Sequence, residues 1–92
     1  MEANPKGKHA IDARFFLADS LYKQKDYEQA VVEFGVVHER APNSALGRKS
    51  TLRLAQSFKA MGKTKDARAF AQLLIQGSPD SEEAKAARKM LK

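Results

Sequence analysis

The chain repeats itself. Pro42 and Pro79 stand 37 residues apart, as do Leu17 and Leu54, Ala18 and Ala55, and Ala30 and Ala67. Leu17-Ala18-Asp19-Ser20 returns as Leu54-Ala55-Gln56-Ser57, and Pro42-Asn43-Ser44 returns as Pro79-Asp80-Ser81. Pro5 precedes Pro42 by the same interval. A fixed period of this size marks an array of supersecondary units, none of which can bury its apolar face alone. The 92 residues hold about two and a half such units.

The content of each unit is helical. Ile11, Phe15, Ala18 and Tyr22, with Leu17 and Leu21, recur at the three- and four-residue spacing of a helix face. Tyr27, Ala30, Val31, Phe34 and Val37 form a second face, opened by Asp26 with Gln29 in a capping-box arrangement and closed by Pro42. A third helix follows Ser44, aligns Leu54, Ala55, Phe58 and Met61, and ends at Gly62, which supplies a left-handed residue. A fourth, capped by Thr64, carries Ala67, Phe70, Ala71, Leu74 and Ile75. A fifth, capped by Asp80 or Ser81, carries Ala84, Ala87, Met90 and Leu91. Val31-Val32 and Val36-Val37 are β-branched, but they lie inside a long helical period and length decides for helix. The expectation is an all-α stack of helix-turn-helix hairpins with about five helices. Residues 1–9 lead in, 10–43 and 44–78 form two hairpins, and 79–92 form a C-terminal capping helix. Ala18, Ala30, Ala55 and Ala67 are expected where helices cross closely, each first helix packing on its own second helix and on the first helix of the next unit.

These residues resemble the tetratricopeptide repeat. The first unit presents Leu17, Ala18, Tyr27, Ala30, Phe34 and Pro42 at the family's large, small, aromatic, small, aromatic and proline positions. The second presents Leu54, Ala55, Phe58, Gly62, Ala67, Leu74 and Pro79, with Thr64 and Ala71 replacing the later aromatics. The resemblance implies a right-handed stack acting as a non-catalytic scaffold that holds a protein or peptide in a concave groove. The usual unit is 34 residues; three more stand here between Pro42 and the next core pattern. That lengthening is similar to the C-terminal repeat domain of the Tol–Pal-associated periplasmic cell-division coordinators. Their resemblance implies a periplasmic, cell-envelope setting, the alternative being a cytoplasmic adaptor.

Composition excludes much else. Cysteine is absent, which removes disulfides, thiolate metal sites and a cysteine nucleophile. The five glycines are never clustered, so no phosphate loop exists, and no apolar run approaches a membrane span. His9 and His38 have no second ligand at metal spacing and read as surface residues. Glu28, Glu33 and Glu39 read as a solvated face. No catalytic residue, metal site or cofactor is expected, and too few free aromatics accompany the positive charge for nucleic acid.

The net charge of +6 is unevenly placed. Lys8 to Ser44 carries a small acidic excess, whereas Ala45 to Gly77 holds seven basic residues against Asp66 alone. In a tetratricopeptide stack the first helix of each hairpin lines the groove. Asp12, Phe15, Asp19 and Tyr22 would then form an acidic and aromatic half, and Lys49, Leu52, Arg53, Gln56 and Lys59 a basic and polar half. Such a groove suits a peptide with acidic groups. The adjacent Phe15 and Phe16 leave one ring that cannot face the core, which makes homodimerisation through the first helix a second expectation.

Overall fold

The computed structural model describes residues 8–91, with side chains from residue 10 onward. Five helices follow one another: α1 (Lys8–Lys23), α2 (Tyr27–Arg40), α3 (Ala45–Ala60), α4 (Thr64–Gly77) and α5 (Glu82–Met90). The starts of α1, α3 and α5 are 37 residues apart, as are those of α2 and α4, so the period in the sequence is the period of the fold. Among the described residues every element is helical, in a body of 47 × 28 × 17 Å. His9 lies outside the residues whose side chains are described, and Pro5 outside the described residues.

Two kinds of turn alternate. The three-residue turns end α1 and α3 in the same way. Lys25 and Gly62 take positive φ of 66° and 79°. The next N–H groups, of Asp26 and Lys63, bond back to the Leu21 and Phe58 carbonyls at 2.9 and 2.8 Å. This is the Schellman arrangement. It also overturns two expected caps. Asp26 and the N-cap Lys63 are held at ψ of 71° and 74°, outside the extended region from which a side chain reaches the first turn, and neither side chain caps. Thr64 is the first residue of α4 and not its cap.

The four-residue turns behave differently. Ser44 and Ser81 are extended, at ψ of 166° and 157°, and their hydroxyls accept from the N–H of Gly47 at 2.9 Å and Ala84 at 3.0 Å. Each hydroxyl donates at 2.8 Å to the carbonyl three residues back, Ala41 or Ser78. Pro42 and Pro79 stand inside these turns, just past the helix ends, where they cannot continue a helix.

Small residues set the helix spacing. Ala18, Ala30, Ala55, Ala71, Ala84 and Ala87 are fully buried, and Ala67 nearly so. Phe34 and Leu54 complete one cluster with Ala18 and Ala30, and Leu74 completes another with Ala55, Ala71 and Ala87. The main contacts run between sequential helices. α2 packs as fully on α3 as on α1, while α1 touches α3 only slightly. First helices also meet directly, as expected, but less extensively than each meets the second helices beside it.

Leu17 needs a larger correction. Its repeat partner Leu54 is 2% exposed, but Leu17 is 50% exposed. Leu54 is covered from the α2 side, and no helix of the described residues stands before α1 to cover Leu17 in the same way. Phe16, the ring expected to miss the core, is 65% exposed. His38 is not a free surface residue either. It is half-buried, its Nδ1 lies 2.6 Å from Thr51 Oγ1, and its ring meets Phe70 edge-on. Thr51 Oγ1 also lies 2.9 Å from the Gly47 carbonyl oxygen. Glu33 likewise leaves the solvated set: it is half-buried and bonds Arg14 at 2.6 Å.

Candidate concave cleft

α1, α3 and the start of α5 enclose a cleft of about 350 Å³, lined by Phe15, Asp19, Lys49, Leu52, Arg53 and Glu83. The helical repeat explains the selection. Phe15 and Asp19 stand one turn apart on α1, Lys49 and Arg53 one turn apart on α3, and Leu52 lies between them. Phe15 is half-buried because its ring also meets Phe34 edge-on, with centroids 5.8 Å apart. Leu52 is half-buried against the second core cluster. Both are therefore held in place from behind while one side faces the cleft.

The polar residues are largely paired already. Arg53 donates to Gln56 Oε1 at 2.8 Å, lies 3.8 Å from Asp19, and places its guanidinium 4.6 Å from the Tyr22 ring centre. Asp19 also meets Lys23 at 3.2 Å. Tyr22 packs edge-on against Tyr27 and Phe34, with centroids at 5.6 and 6.4 Å. Glu83 bonds Arg48 at 3.4 Å, tying α5 to α3. The two halves read from the sequence thus partly neutralise each other. Two cations and two carboxylates line the cleft, and Lys49, exposed, is the cation without a partner among the described residues.

Tyr22 and Gln56 border the cleft through Arg53. Asp12 is half-buried one helical step before Phe15, on the same side of α1, and does not line the cleft. Lys59 belongs elsewhere. It lines a separate space of about 380 Å³ with Thr64, Ala67, Arg68, Met90 and Leu91, at the far ends of α3 and α5. Glu83 was missed by sequence reasoning. Continuing the period past Pro79 makes α5 a third groove-lining helix, and that would have found it.

Among the described residues, no group of three or more His, Asp or Glu side chains has the arrangement of a metal site, and no helix is long and apolar enough to cross a membrane. Among curated proteins none matches the chain. A family model described as tetratricopeptide repeat matches residues 12–44 and 50–81. Such repeats commonly mediate protein–protein interaction and are generally non-catalytic. With the period, the alternating turns and the buried small residues coinciding with this match, the chain belongs to the tetratricopeptide repeat family.

Proposed function

We propose that the chain is a non-enzymatic interaction module that holds an extended or helical peptide of another protein in the cleft between α1, α3 and α5. The observation that carries this reading is the unpaired cation of Lys49 beside the half-buried Phe15 and Leu52. Pre-positioned apolar groups supply contact area at little entropic cost, and one exposed charge orients a partner. Because Arg53 is held by Asp19 and Gln56, the expectation of a generally acidic ligand narrows. The partner carries one carboxylate opposite Lys49, flanked by apolar side chains against Phe15 and Leu52.

The setting we propose is a bacterial cell-envelope complex of the Tol–Pal type, in the periplasm. Support comes from the 37-residue period, with its three added residues between Pro42 and the next core pattern, which resembles the repeats of the Tol–Pal-associated coordinators. Selection from a random peptide library tests the binding mode. Selected peptides share an acidic residue flanked by apolar ones, and Lys49→Glu weakens them roughly ten-fold, about 1.4 kcal/mol. Peptides without a common acidic position, or affinity retained by Lys49→Glu, reject this reading.

A further inference from the structure

The two hairpins supply an internal comparison that singles out one face of α1. Shifting by 37 residues pairs Ala13 with Ser50, Arg14 with Thr51, Leu17 with Leu54 and Ser20 with Ser57. Every member of the second set is buried, at 0 to 3% exposure, and Thr51 and Leu54 among them meet α2. Every member of the first set is exposed, and Phe16 beside them is 65% exposed. The α1 face therefore has the composition of a buried helix-packing surface: small residues at Ala13 and Ser20 permit close approach, with Leu17 between them. It lies apart from the concave cleft, which uses Phe15 and Asp19.

From this we infer that the open face of α1 binds an amphipathic helix of another polypeptide, running antiparallel to α1 as α2 runs to α3. The established α2–α3 interface specifies the ligand. Val31 and Phe34 pack with Leu54 there, His38 meets Thr51, and the Ala41 carbonyl abuts Gly47. The ligand helix thus carries an aliphatic residue, an aromatic three positions on, and a polar residue seven positions on. In place of Thr51 the α1 face offers Arg14, whose Nη1 is used by Glu33 while the side chain stays 43% exposed. That polar residue is therefore a carboxylate. A partner of this chemistry is favoured over a second copy, because the same face of a second copy, Ala13, Arg14, Leu17 and Ser20, carries no carboxylate to meet Arg14.

The test uses a synthetic helix with the sequence of residues 26–42 carrying His38→Glu. A lactam from Glu28 to a lysine introduced by Val32→Lys, both on the outer face of α2, keeps it helical, since free helices of this length are marginal. In a heteronuclear titration the amides of Ala13, Phe16, Leu17 and Ser20 shift. Leu17→Glu in the protein weakens binding at least ten-fold with the melting midpoint unchanged, because Leu17 is already exposed. A peptide with His38→Lys also binds at least ten-fold more weakly. The inference is overturned by shifts on α3, which mean displacement of α2, by shifts confined to the cleft, or by no binding at millimolar peptide. Equal affinity for Leu17→Glu overturns it too. So do concentration-dependent shifts of Phe16 and Leu17 without peptide, which make a second copy the occupant.

Discussion

Gly47 and Gly35 are both helical glycines, and replacing each with alanine has opposite expected signs. A Cβ on Gly47 would stand 1.7 Å from the Ala41 carbonyl oxygen and 2.7 Å from its carbon. Van der Waals contact begins near 3.5 Å, so the α2 terminus and the α3 start must separate by about 1.8 Å. That oxygen cannot move alone. It accepts from the Ser44 N–H at 3.2 Å and the Ser44 hydroxyl at 2.8 Å, and the same hydroxyl caps α3. Losing these bonds costs about 1 kcal/mol each, and overpacking adds roughly 1–3 kcal/mol. Alanine returns at most about 1 kcal/mol of helix preference. The net expectation for Gly47→Ala is a loss of roughly 2–4 kcal/mol, or about 10–25 °C in melting midpoint. Gly35, inside α2, has nothing within 4 Å of its added Cβ. Gly35→Ala should therefore gain about 0.5–1 kcal/mol. Urea and thermal unfolding followed by circular dichroism at the helix band measure both. Equal signs for the two variants refute the reasoning, because helix preference alone would then decide.

Other substitutions probe the same turns and interfaces. The Ser50 and Ser57 hydroxyls are fully buried without a hydrogen-bond partner, so Ser50→Ala and Ser57→Ala should each stabilise by about 1 kcal/mol in denaturant unfolding. Lys25 adopts at φ 66° what Gly62 adopts at 79°, and Lys25→Gly should raise stability by about 1 kcal/mol; a decrease contradicts the turn geometry. Ser81→Ala should cost about 1 kcal/mol of stability and Asp26→Ala only a few tenths, since only the first residue makes a capping bond.

The architecture was legible because the evidence for it recurs. Ala18 and Ala55, or Ala30 and Ala67, are informative as pairs, since two small residues one period apart imply one crossing geometry used twice. Ser44 and Ser81 announced their caps through the shared Pro-x-Ser. Asp26 misled because a capping-box pattern says nothing of the backbone before it, and the Schellman turn at Lys25 had fixed ψ outside capping range. Leu17 misled for a different reason: its burial depends on a neighbouring helix, while its apolar character depends only on the repeat. The cleft was half legible. Helical spacing brought Phe15, Asp19, Lys49, Leu52 and Arg53 together, but spacing cannot show that Arg53 turns back onto Tyr22 and Asp19. Lys59 shared the spacing and fell beyond the cleft, in the separate space at the far ends of α3 and α5.

The central claim is that Lys49 orients a partner carboxylate in the concave cleft. A double-mutant cycle tests it most directly, using a library-selected peptide and its variant with the acidic residue changed to lysine, each titrated against the parent protein and Lys49→Glu. The account predicts roughly ten-fold loss for either single change and recovery of most of that loss when the two are combined. Additive losses would contradict it, because the peptide charge and Lys49 would then not be in contact.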